Sequence, residues 1–194
     1  DPIDITTGNI PYIVADIYIP SLGELGFIRM YKSQALFNSP IGFCWSHNYN
    51  IRLFGEVIEN TMQVLLDDGS SIFFEKQPDE TYLPLLAEKS TLRQNPDGTF
   101  SWITVDKITH NFDDYGRLVT VVDLNNNTTS LSYNDQGHLI EVADPTGRKI
   151  LFAYNAAGYI ESVTDPAGRR FEYSYDDAGK LVLVRFPDST TNQY

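Results

Sequence analysis

Three groupings in this 194-residue sequence have side chains that catalysis or metal binding would need. Adjacent carboxylates at Asp67-Asp68, Asp113-Asp114 and Asp176-Asp177 resemble the acid and base pair of a glycoside hydrolase. Ser46-His47, beside Trp45, offers a hydroxyl and an imidazole. Acyl transfer also needs a converging carboxylate, and no nucleophile-elbow pattern is present. Asp123-x-Asn125-x-Asn127 begins like a calcium loop, but Thr128 stands where glycine belongs and Asn134 where the bidentate glutamate belongs. Each grouping has a plainer reading. The aspartates sit in turns, Ser46-His47 reads as a hydrogen-bonded packing pair, and His138 occupies a variable position after a turn glycine, at the surface. Cys44 is the only cysteine, which excludes an intrachain disulfide and a multi-cysteine metal site. No catalytic residue, metal ligand or cofactor is assigned.

The elements that carry these residues are periodic. Gly116, Gly137, Gly158 and Gly179 are spaced 21 residues apart. Four residues before them stand Phe112, Tyr133, Tyr154 and Tyr175; two after stand Leu118, Leu139, Ile160 and Leu181; five after stand Val121, Val142, Val163 and Val184. Such a period marks a small unit that buries its apolar face only by stacking on its neighbours. Within a unit, Ile150, Phe152 and Tyr154 alternate with Leu151 and Ala153, the two-residue period of a strand. Asp113, Asn134, Asn155 and Asp176 each open a four-residue turn closed by a glycine. The first residue accepts a backbone hydrogen bond and the last takes positive φ, which predicts type I turns with a left-handed fourth residue. A second turn follows in Asp144-Pro145-Thr146-Gly147 and Asp165-Pro166-Ala167-Gly168, where proline presets φ. Asp123-Leu124-Asn125-Asn126 replaces it in the first copy, with asparagine tolerating the left-handed region.

The predicted fold is all-β: an antiparallel meander of hairpins forming a curled sheet. Apolar positions two and five after each glycine have opposite parity, so a regular strand would send them to opposite faces. Either both faces are covered or a bulge sits between them, putting both inside and curling the sheet; the bulge is the favoured reading. Residues 1–107 lack the period but show hairpin signals at Asp67-Asp68-Gly69 and Pro96-Asp97-Gly98. They read as a β-rich opening or cap segment continuing into the same sheet, with 77–86 as an irregular loop. Residues 108–194 form the array, whose last strand, near Leu181–Phe186, is expected to be an unpaired edge prone to self-association.

Composition narrows the function. A net charge of −12 argues against a nucleic-acid phosphate partner. No apolar run is long enough to span a bilayer as a helix. The sequence starts at Asp1-Pro2 and stops within a repeat, which reads as a piece of a longer protein.

The unit Tyr154-Asn155-Ala156-Ala157-Gly158-Tyr159-Ile160, followed by Asp165-Pro166-Ala167-Gly168-Arg169, resembles the YD repeat of Rhs proteins. Asp1-Pro2-Ile3-Asp4-Ile5-Thr6-Thr7-Gly8 is similar to the segment that opens the Rhs core. So are Arg29-x-Tyr31-x-Ser33 and Gly42-Phe43-Cys44-Trp45-Ser46-His47-Asn48-Tyr49, with Cys44 where a small residue is expected. The resemblance leaves residues 55–107 uncovered. It implies a β-spiral wall of a hollow, secreted or cell-surface shell. In bacterial members that shell encloses a C-terminal toxin and is often exported by a type VI secretion system. The implied partners are the rest of the shell, the toxin and secretion-system spike proteins. The implied role is non-enzymatic; the rival readings are a carbohydrate- or receptor-binding β module and a glycoside hydrolase.

Overall fold

In a computed structural model, residues 11–20, 25–55, 60–79, 81–86 and 89–194 are described. The opening-motif residues Asp1, Pro2, Asp4 and Gly8 lie outside them. Among the described residues every regular element is a strand. β1 (Pro11–Ile19), β2 (Leu25–Lys32), β3 (Asn38–Ser39), β4 (Gly42–Phe43) and β5 (Trp45–His47) make up the opening region. β6 (Arg52–Phe54), β7 (Thr61–Leu65), β8 (Ser71–Lys76), β9 (Tyr82–Pro84), β10 (Thr91–Gln94) and β11 (Phe100–Ile103) follow. The repeats supply β12 (Thr109–Phe112), β13 (Leu118–Val122), β14 (Thr128–Tyr133), β15 (Leu139–Ala143), β16 (Lys149–Tyr154), β17 (Ile160–Thr164), β18 (Arg170–Tyr175), β19 (Leu181–Arg185) and β20 (Thr191–Gln193).

β6 to β20 form one 15-stranded antiparallel sheet in strict sequence order. The pairing of β11 with β12 runs unbroken across the start of the periodic region. The opening region departs from the expected continuation: β1, β2 and β5 form a separate three-stranded sheet. Residues 77–86, expected to be a loop, contain β9, which pairs with both β8 and β10. The edge is β20 rather than the strand at Leu181–Arg185, because β19 pairs with β20 through Arg185–Thr191, Val184–Asn192 and Leu183–Gln193.

One turn recurs along the described part of the meander. In Asn134–His138, the Gly137 N–H donates to the Asn134 carbonyl at 2.9 Å and the Asn134 N–H to the His138 carbonyl at 2.9 Å. Asn134 Oδ1 accepts from the Gln136 and His138 N–H groups, which braces the turn from its first side chain. The same closure recurs outside the periodic region, as in Thr104–Ile108, where Lys107 occupies the left-handed position at φ 63°. The sequence period is therefore narrower than the structural one.

The predicted bulge lies between the two apolar positions. Ser132 pairs with Glu141 while Tyr133 pairs with Leu139, so Ile140 is an extra residue. Val119, Glu161 and Val182 are skipped in the same way in the other copies. Leu139 and Val142 are consequently buried together. The sheet curls back on itself: Arg52 of β6 bridges Arg117, and the Leu53 N–H donates to the Gly116 carbonyl at 2.9 Å.

Candidate functional site: the seam between opening sheet and repeat wall

The three-stranded sheet lies across the inner face of the repeats. The Phe27 ring meets Phe152 at 5.5 Å and Tyr173 at 6.1 Å, and Tyr49 meets Phe152 at 6.5 Å. Alternation produces this face: β14, β16 and β18 share one burial pattern, so Leu131, Phe152 and Tyr173 all point inward.

A buried ion pair sits in the seam. Asp16 is the extra residue of a bulge in β1, since Ala15 pairs with Ile28 and Ile17 with Phe27. The bulge turns its carboxylate inward to Arg29 of β2. Arg29 Nη2 donates to Asp16 Oδ1 at 2.9 Å and Nε to Oδ2 at 2.5 Å, and both side chains are fully excluded from solvent. Tyr173 of the wall donates its hydroxyl to Asp16 Oδ2 at 2.7 Å. The guanidinium lies over Trp45 at 4.9 Å, with Tyr173 and Tyr194 at 5.7 and 5.6 Å. Burial opposes the charge on Arg29, but the hydrogen bond and charge of Asp16 outweigh it and raise its pKa. Burial, reinforced by Asp16, pushes the Tyr173 phenol well up, so it stays a donor. Arg29 Nη1 has no hydrogen-bond partner. One signal for this network is present in the sequence: single charges interrupt the apolar runs of β1 and β2.

Residues 38–53 run as a strap along the rim made by the turn glycines. The Ile160 N–H donates to the Pro40 carbonyl at 2.7 Å, and the Phe43 N–H to the Gly179 carbonyl at 3.2 Å. Gly42 fits because a Cβ there would meet the Gly179 carbonyl at 3.0 Å, and its φ is 103°. Cys44, at φ 63°, explains why a small residue suits that position; its thiol donates to the Ala35 carbonyl. Trp45 is buried between Tyr31 and Tyr194.

The groupings that suggested chemistry are held by structural bonds. Asp113 Oδ1 accepts from the Tyr115 and Arg117 N–H groups and Oδ2 from Arg117 Nε. Asp123 is engaged in the same way by Asn125 and Asn127. His47 is buried against Phe27 and its Nδ1 accepts from the Tyr49 N–H. Among the described residues, no cluster of three or more histidine, cysteine or acidic side chains could hold a metal ion. Arg148 and Arg169 bond Asp144 and Asp165 of their own turns, not carboxylates along the stack. The repeat tyrosines turn their hydroxyls to neighbouring backbone: Tyr133 donates to the Leu118 carbonyl at 2.8 Å and Tyr175 to the Ile160 carbonyl at 2.7 Å. His138, read as a surface residue, is half-buried and stacks on Tyr154 at 4.3 Å.

A family described as "RHS Repeat" matches residues 112–149, 133–170 and 154–191, three windows offset by the same 21 residues as the turn glycines. The chain is an Rhs/YD-repeat protein. A second family, a domain of unknown function (DUF6531), matches residues 1–74 of this Rhs protein, which include the opening sheet and the strap. No curated protein matches it. Among solved structures, the crystal structure of TcdB2-TccC3 without its hypervariable C-terminal region aligns over 94% of this chain and 14% of that one. Identity is 12% and the TM-score 0.21, a superposition too loose to add to the fold described above.

Proposed function

We propose that this Rhs segment is a passive wall, with residues 1–107 as the opening or cap segment and 108–194 as the repeat array. It forms part of a hollow shell that encloses and delivers a C-terminal toxin. The observation carrying this reading is the uninterrupted curled sheet whose apolar inner face is lined by its own opening segment. Family membership supports the structural role. Enclosure, a toxin cargo, association with secretion-system spike proteins and a secreted or cell-surface location follow from the resemblance to Rhs shells. The segment is non-enzymatic in this reading, binds no nucleic acid and contributes no membrane span.

The test uses a longer polypeptide carrying this segment followed by a protease-sensitive passenger. Enclosure predicts that the passenger survives protease while exposed loops are cut. Digestion at the rate of the free passenger would overturn the reading. A glycan array and a panel of chromogenic glycosides, applied to the 194-residue chain, address the binding-module and hydrolase alternatives.

A further inference from the structure

The residues after Gly116, Gly137 and Gly158 belong to no repeat motif, yet they make the same contact in successive copies. The Arg117 guanidinium lies 4.8 Å over the Tyr133 ring. His138 stacks on Tyr154 at 4.3 Å with 15° between planes, and Tyr159 on Tyr175 at 4.8 Å with 24°. Each pair joins one repeat to the next. The same side chain then passes over the following glycine. A Cβ on Gly137 would lie 3.9 Å from Arg117 Nη1, one on Gly158 would lie 3.6 Å from His138 Nε2, and one on Gly179 would run into the Tyr159 hydroxyl.

The opposite rim lacks this arrangement. A Cβ on Gly147 or Gly168 would meet nothing within 4 Å. The arginines there bond within their own turns, apart from Arg148 Nη2, which reaches the Pro20 carbonyl at 3.2 Å.

We infer that Arg117, His138, Tyr159 and Lys180 occupy the coupling position of the wall. This position selects for a flat or cationic side chain that can cover the tyrosine of the following repeat. The face of a phenol ring is electronegative, so it accepts a cation or an offset ring and repels a carboxylate. The chain has 26 acidic residues, and none of the four coupling positions holds one. The glycine thus has two separate duties: it takes positive φ, and it leaves room for its neighbour's side chain. This inference rests on the ring contacts and stands whether or not the wall encloses a cargo.

The experiment compares His138→Phe, His138→Ala and His138→Glu in the full chain, by thermal unfolding and by amide hydrogen exchange. His138→Phe keeps a flat ring and should unfold near the parent temperature. His138→Ala should lower the midpoint by about 2–5 °C, and His138→Glu by more. Exchange at the Gly158 amide, in the next repeat, should quicken by about threefold to tenfold in His138→Ala, with Gly147 unchanged. The losses from His138→Ala and Tyr154→Leu should be less than additive. Equal midpoints for Phe and Glu, additive losses, or faster exchange at Gly147 and Gly158 alike would each overturn the assignment.

Discussion

The Tyr173 hydroxyl donates to Asp16 Oδ2 across 157 positions of sequence and ties the fourth repeat to the first described strand. Asp16 also holds Arg29, so one carboxylate serves both partners inside the seam. Removing one member of a buried pair leaves an uncompensated charge, whereas replacing both with apolar groups leaves none. Arg29→Met should therefore destabilise by roughly 3–5 kcal/mol. Tyr173→Phe should cost roughly 1.5–3 kcal/mol, the range for a hydrogen bond to a charged group. The double variant Asp16→Leu/Arg29→Met should be more stable than Arg29→Met alone. Chemical denaturation of the three variants decides it, and a double variant less stable than Arg29→Met would contradict the uncompensated-charge argument.

Turn glycines should differ in their tolerance to a side chain. At Gly147 a Cβ meets open space, so Gly147→Ala carries only the positive-φ cost, roughly 1 kcal/mol. At Gly116 the Cβ would strike the Leu53 carbonyl of β6, a backbone atom that cannot rotate away. Gly116→Ala should cost at least ~2 kcal/mol more than Gly147→Ala. Gly158→Val should exceed ~1 kcal/mol, because a β-branched residue opposes φ near 84°. Equal melting shifts at Gly116 and Gly147 would show that β6 does not dock on that turn.

Two buried imidazoles make stability fall in acid. Burial, with Arg52 adding to it, lowers the His47 pKa to about 3, and burial lowers that of His110 to about 4. Both lie below the ordinary value of about 6.5, so the unfolded chain binds more protons than the folded one between these limits. Their contribution is complete above about pH 6.5. It is lost progressively as pH drops towards about 4 for His110 and about 3 for His47. His110→Gln should flatten part of this slope in denaturation midpoints measured from pH 7 to pH 4. An unchanged slope would place the acid sensitivity elsewhere.

The open edge is testable by its hydrogen-bond parity. The Tyr194 N–H donates inward to the Val182 carbonyl, and Asn192 pairs with Val184, so the Thr191 and Gln193 N–H groups face outward. All three residues of β20 are exposed. Sedimentation should show concentration-dependent association of the isolated chain, suppressed by Gln193→Pro, which removes an outward donor only. A strictly monomeric parent chain, or association unaffected by the proline, would rule out edge pairing.

Local rules made the hairpins legible. An Asx residue, a glycine three later and an alternating run specify the turn and strand without outside help, and the parity clash at Leu139 and Val142 located the bulge. The same turn was harder to see where its left-handed position holds Lys107 or Ser189, since neither residue announces positive φ. β9 is hard to read because Tyr82–Pro84 is short and contains a proline, which argues against an interior strand. The seam was hidden for a different reason. Asp16, Arg29 and Tyr173 meet through tertiary packing, and nothing in their spacing forecasts the encounter. His138 looked variable because the position tolerates three chemically different side chains, although all of them cover the same phenol.

Leu53, Phe43 and Ile160 fasten the strap through main-chain groups, at Gly116, Gly179 and Pro40 respectively. Peptide groups are the same whatever side chains flank them. The register of the strap on the rim can therefore persist while the residues facing solvent diverge.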